Sequence, residues 1–122
     1  MGSETGRVNE LAEACVTVRF ISGHSIECVI DTGFSGGLML PRSLIEQIPY
    51  LEIGRETFIL AGGSEIKADV VAVEAYWLNN VQSFASVISE GGDALIGTDL
   101  LKNTVLRIDY LSSQVEIKND QE

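Results

Sequence analysis

Two short runs with apolar residues at every second position set the terms for this chain. Val16, Val18 and Phe20 form the first, and Ile26, Cys28 and Ile30 the second. A period of two places such residues on one face of a β-strand. Ser22-Gly23-His24 between them reads as a turn, so the two strands form a hairpin. A three-residue loop would pair Phe20 with Ile26, Val18 with Cys28 and Val16 with Ile30. All six side chains then share a face, and a slip of one residue would turn that face to water. Cys15 points away from Cys28 in this register. Two cysteines also make no disulfide framework, so both thiols are expected to be free.

The same grammar of short strands and small-residue turns continues to the C-terminus. Leu38-Met39-Leu40 is a short buried strand. Pro41 suits the start of a helix over Arg42 to Ile48, with Leu44, Ile45 and Ile48 inward and Pro49 ending it. Thr57 to Leu60 and Glu65 to Trp77 form a hairpin around the small tip Ala61-Gly62-Gly63-Ser64. Asn79-Asn80 is a turn, and Val81 to Ile88 a further strand. Ala94-Leu95-Ile96 runs into Gly97 and a helical turn over Thr98 to Leu101. Thr104 to Tyr110 and Gln114 to Ile117 close the chain as a hairpin. The reading is all-β with one or two short helices. A single domain over residues 14–118 lies between a loosely held, polar, Glu-rich arm (1–13) and a polar tail (119–122).

Composition narrows the partners. A chain of 122 residues that is 45% apolar suits one globular domain with a modest core. Its net charge of −10 argues against nucleic acid or an anionic membrane surface, and tolerates neutral or basic peptides. The first residues lack the apolar core of a signal peptide, and the cytoplasm is the expected compartment. His24, the sole histidine, sits in a turn with no second His or Cys near it in sequence. Neither a metal nor an organic cofactor is expected.

The stretch that carries chemistry is Val29-Ile30-Asp31-Thr32-Gly33-Phe34-Ser35-Gly36. An apolar strand anchors a carboxylate, Gly33 permits a tight turn beside it, and Thr32 offers a short hydroxyl for supporting hydrogen bonds. A phosphate loop is rejected, because no Lys follows and the next element is a strand. The stretch resembles the apolar-apolar-Asp-Thr-Gly signature of aspartic proteases. In order of parts, residues 14–118 resemble the retropepsin-like (clan AA) aspartic proteases. A hairpin leads into Asp31-Thr32-Gly33, Ala61-Gly62-Gly63-Ser64 stands where the family has its flap, and Leu95-Ile96-Gly97 follows like its second apolar-apolar-Gly motif. The Asp-Thr-Gly-Phe variant looks most like the small prokaryotic members.

The resemblance implies a closed β-barrel with a flap hairpin. It also implies an aspartic endopeptidase with Asp31 catalytic and Thr32 and Gly33 supporting it, and with Leu95, Ile96 and Gly97 packed beneath the catalytic loop. The family's chemistry needs two aspartates, and this chain has one Asp-Thr-Gly. The implied enzyme is therefore a C2 homodimer, with Thr32 bonding across the axis and a peptide or protein as substrate. Where the family has Ala or Ser after the motif, this chain has Phe34. That position, with Ser35, is assigned to a substrate pocket or to the dimer interface. Gly36 and Thr98 stand where retroviral members carry an interface salt bridge. A second class of function shares the same residues: a non-catalytic dimeric domain that keeps the fold to bind or scaffold peptides.

Overall fold

The computed structural model describes residues 2–59 and 62–119. The elements are β1 (Gly2–Val8), β2 (Ala14–Phe20), β3 (Ser25–Ile30), β4 (Leu38–Pro41), α1 (Arg42–Ile45), β5 (Leu51–Ile59), β6 (Glu65–Trp77), β7 (Asn80–Ser89), β8 (Leu95–Ile96), α2 (Thr98–Leu101), β9 (Val105–Asp109) and β10 (Gln114–Asn119). The fold is all-β. Its strands lie in the order β5-β6-β7-β4-β8-β3-β2-β1-β10-β9, and β6 pairs additionally with β2. Pairing from β2 through β3, β8, β4, β7 and β6 thus returns to β2. Strand β5 lies outside this circuit on one side, and β1, β10 and β9 lie outside it on the other.

The β2–β3 hairpin forms with the expected face inward but not the expected register. Val18 stands opposite Ile26 and Val16 opposite Cys28, two residues away from the pairing read from the sequence. The turn is centred on Ser22 rather than Gly23, one residue earlier than expected. The His24 carbonyl accepts from the Phe20 N–H at 2.8 Å, and Phe20 pairs instead with Ala75 of β6. A shift of two preserves the face, so Val16, Val18, Phe20 and Cys28 are still buried. Cys15 and Cys28 are both free and both buried. Burial pushes the Cys28 thiol up to about 12 and raises that of Cys15.

The segment read as a loose arm is corrected. Its residues Gly2–Val8 are strand β1, paired with β10 from Gly2–Asn119 to Arg7–Gln114 and with β2 from Gly6–Val16 to Val8–Ala14. Backbone hydrogen bonding needs no apolar side chain, which is why the polar sequence hid it. Two side chains fasten the strand further. Arg7 donates twice to the Glu27 carboxylate at 2.8 Å, and Glu4 accepts from the Leu78 N–H at 2.8 Å. At the other end Asn119 still belongs to β10, and residues 120–122 lie outside the described residues.

Smaller corrections concern element ends. Helix α1 stops at Ile45, and single turn bonds (Gln47 N–H to Leu44, Ile48 N–H to Ile45) carry Ile48 into the core. The β6–β7 turn is Leu78-Asn79, both at positive φ, and Asn80 already opens β7. Strand β5 begins at Leu51 rather than Thr57. The core joins β2, β4, β6, β8, β10 and α2. Trp77 is buried at its centre, with its indole N–H donating to the Leu100 carbonyl at 3.1 Å.

Candidate functional site

Asp31 stands immediately after β3, where the strand ends against β8. Val29 and Ile30 run parallel to Leu95 and Ile96, and the Asp31 N–H donates to the Ile96 carbonyl at 2.9 Å. The chain then turns sharply. The Phe34 N–H donates to the Asp31 carbonyl at 3.1 Å, and the Gly33 N–H donates to Asp31 Oδ1 at 2.9 Å. The carboxylate is therefore oriented by its own turn while staying half-exposed. Gly33 suits this position because its backbone comes close to the carboxylate: a Cβ there would lie 3.2 Å from Asp31 Oδ1.

The loop is stitched to the second motif. The Gly97 N–H donates to the Gly37 carbonyl at 2.7 Å, that of Thr98 to Phe34 at 2.9 Å and that of Asp99 to Gly36 at 3.1 Å. With the Asp31–Ile96 bond, four backbone hydrogen bonds join residues 31–37 to residues 96–99. Leu95-Ile96-Gly97 lies directly beneath the Asp31 loop, with Ile96 buried. Gly97 has a steric reason as well. A Cβ there would collide with the Gly36 carbonyl oxygen and approach Phe34 Cδ2 to 2.7 Å. Gly36 is equally constrained, since its Cβ would lie 2.7 Å from Phe34 Cζ. The two glycines form a cradle for the Phe34 ring.

Across from this floor stands the β5–β6 hairpin. Asp31, Gly33, Phe34, Ser35, Met39 and Leu95 on one side, and Thr57, Phe58, Ile59 and Ile66 on the other, enclose a cleft of about 550 Å³. Among the described residues Asp31 is the single carboxylate on its lining. The Phe34 and Phe58 rings meet at a centroid distance of 6.3 Å, tilted by 59°, and so bridge floor and hairpin. Of the four tip residues, Gly62, Gly63 and Ser64 are exposed, and Ala61 lies outside the described residues. Gly62 and Gly63 adopt φ of +98° and +89°, which the tip turn requires and which glycine accepts freely.

The residues singled out by sequence thus gather in one place, with two distinctions. Thr32 and Ser35 are exposed, and among the described residues neither side chain makes a hydrogen bond, so neither supports the Asp31 carboxylate from within the chain. Phe34 lies on the cleft. Met39, Phe58, Ile59 and Ile66 are cleft residues that the motifs did not indicate. Their signal was positional, since Phe58 and Ile66 face each other across the hairpin as register partners. His24 sits in its turn beside the Ser22 hydroxyl, 3.1 Å from Nδ1. Among the described residues no three His, Cys, Asp or Glu side chains are grouped to hold a metal ion. Among the described residues no helix is long and apolar enough to cross a membrane. The chain matches no protein-family model and no curated protein.

Proposed function

We propose that this chain is an aspartic endopeptidase of the retropepsin-like kind, active as a homodimer in which the two copies of Asp31 hold one water between them. The observation that carries this reading is the position of Asp31. Among the described residues it is the single carboxylate on a largely apolar cleft, fixed by a hydrogen-bonded floor and faced by a glycine-tipped hairpin. The circuit of strand pairing from β2 round to β6 and back supports the closed-barrel form of the fold.

Two carboxylates a few ångströms apart cannot both ionise, so the pair shares a proton. The ionised member draws a proton from the water as its oxygen attacks the peptide carbonyl carbon. The protonated member donates a hydrogen bond to the carbonyl oxygen. Gly33 holds the Asp31 carboxylate in place for both roles, and the exposed Thr32 hydroxyl is available to the other subunit. Apolar walls from Phe34, Phe58, Ile59 and Ile66 suit the side chains of an extended peptide and displace water around the reacting bond. No metal or organic cofactor enters this chemistry. The free, protonated thiols fit a reducing compartment such as the cytoplasm.

The reading is tested by subunit mixing. A fixed amount of wild-type chain is titrated with excess Asp31→Asn chain, and peptide cleavage is followed. Mixed dimers carry one aspartate, so activity falls towards zero as the variant becomes dominant. Activity that stays proportional to the wild-type chain alone would sink the two-subunit site.

A further inference from the structure

The geometry points to a subsite for a basic side chain: a small cavity beside the Asp31 cleft, apolar at its floor and lined by the carboxylates of Glu56 and Asp99. It takes a Lys or Arg of the substrate peptide, outside the two residues that flank the cut bond. This subsite rests on the proposed reading of the cleft as a peptide site. Its test reads binding to an inert chain, so that subsite and hydrolysis can fail separately.

The cavity encloses about 200 Å³ and shares Ser35 and Phe58 with the cleft, so the two adjoin. Asp31 does not line it, which places its occupant beyond the residues at the reacting bond. Its size suits one side chain rather than a length of backbone. The floor holds the cross-strand pair Val70 and Val87, both buried. Glu56 comes from the hairpin, two residues before Phe58 and so on the same strand face, and Asp99 comes from α2. Both acidic residues are exposed. An apolar floor with charge at the rim matches Lys and Arg, whose methylene stems pack on apolar surface while the charged head stays at its edge.

The two carboxylates are open to a new partner. Among the described residues Glu56 makes no ion pair, and its neighbour across the ladder is Ala68. Arg55 beside it is engaged by Asp69. Asp99 holds Lys102 at 3.1 Å, but both side chains are well exposed and such a pair is worth little, so an incoming cation can take the place of Lys102. Among the described residues no basic side chain lines the cavity. No third carboxylate, His or Cys joins the two there, so the pair suits an organic cation on an apolar stem rather than a bare metal ion. The net charge of −10 draws cationic peptides towards the chain before they bind. In a two-fold dimer the cavity occurs once on each side of the reacting bond, so a basic residue is favoured on either side.

The test uses the Asp31→Asn chain, which lacks the proposed catalytic pair, and Ala-rich octapeptides with a central Phe-Phe pair. Lys, norleucine or Glu is placed in turn at each position outside that pair, and dissociation constants are measured by calorimetry. Norleucine keeps an apolar stem and lacks the charge. At one position or more the Lys peptide is expected to bind about fivefold tighter than the norleucine peptide, and the Glu peptide more weakly than either. Adding Glu56→Gln should at least halve the Lys-to-norleucine preference, and adding Asp99→Asn as well should abolish it. Lys102→Ala, which frees Asp99, should raise it. Equal dissociation constants for Lys and norleucine at every position would overturn the subsite, as would a preference that survives both acidic substitutions. Wild type that cuts these peptides without any Lys preference keeps the hydrolysis and loses the subsite, and a Lys preference in a chain that never cuts does the reverse. Absence of binding by any peptide would overturn both.

Discussion

The floor of the cleft and the hairpin that faces it are built by opposite means. The floor is over-determined. Four backbone hydrogen bonds tie the Asp31 loop to residues 96–99, the buried Ile96 and Leu38 lie beneath it, and the Phe34 ring fills a cradle that only glycines leave open. The hairpin is under-determined. Among the described residues strand β5 pairs on one side only, and of its nine residues Phe58 alone is half-buried while the rest are exposed. An ion-pair chain, Arg55–Asp69–Arg42–Glu90, joins its base to α1 and the β7–β8 loop, but these side chains are well exposed and bind weakly. The contrast fits the two tasks that the proposed function would set. A reacting carboxylate needs fixed geometry, whereas a cover must open to admit a chain.

One substitution made in both regions should expose the contrast most clearly. Gly97→Ala forces a Cβ into the Gly36 carbonyl and the Phe34 ring, and is expected to lower stability by about 3 kcal/mol in denaturant unfolding. Gly62→Ala meets no atom within 4 Å, and only its φ of +98° is strained. It should cost global stability only about 1 kcal/mol, the strain of a non-glycine residue at positive φ. Equal losses at the two sites would mean that the tip is as constrained as the floor. A third substitution, Phe58→Ala, removes the ring linking the two regions. It should cost about 1 kcal/mol and speed amide exchange in residues 51–59 and 65–69, while protection at residues 29–31 and 95–97 stays near wild type. Exchange that rises equally in both would erase the distinction.

The smallest effect is electrostatic and lies away from both regions. Burial raises the Glu4 carboxyl above its ordinary 4.5, against the lowering influence of the Leu78 N–H and of Arg19. A raised folded-state pKa gives stability that is present below the unfolded value and lost as pH rises through the folded one. Relative to Glu4→Gln, wild type should therefore lose stability from about pH 4.5 upward. Paired melts from pH 3.5 to 7 would check the sign, and a difference that grows in wild type's favour with pH would contradict it.

What was legible in the sequence follows the same physics. Faces were readable, because a period of two survives any even shift: Val16, Val18, Phe20 and Cys28 are inward despite the altered register. The register was not readable, because Phe20 is claimed by Ala75, more than fifty residues away in sequence. Strand β1 was hidden because its pairing uses backbone groups, and Ser3, Thr5 and Arg7 carry no apolar signal. Most of strand β5 was hidden for the converse reason. It lies on the outside of the hairpin, so no apolar alternation was required of it. The site was legible in its motifs, since the loop of Asp31 and the segment of Gly97 are joined through backbone bonds (Asp31 to Ile96, Gly97 to Gly37) that specific residues permit. Its far wall was not, because Phe58 and Ile66 reach the cleft only through the path of the hairpin.

The central claim is that the carboxylate of Asp31 performs peptide hydrolysis. It is tested most directly by incubating wild type and Asp31→Asn with a diverse peptide pool from acidic to neutral pH at high protein concentration. The account predicts cuts made by wild type and absent from a folded, dimeric Asp31→Asn, with apolar residues flanking the cleaved bond. A folded, dimeric wild type that leaves the pool intact, or identical cuts by both proteins, would contradict it and give the lead to the peptide-binding reading.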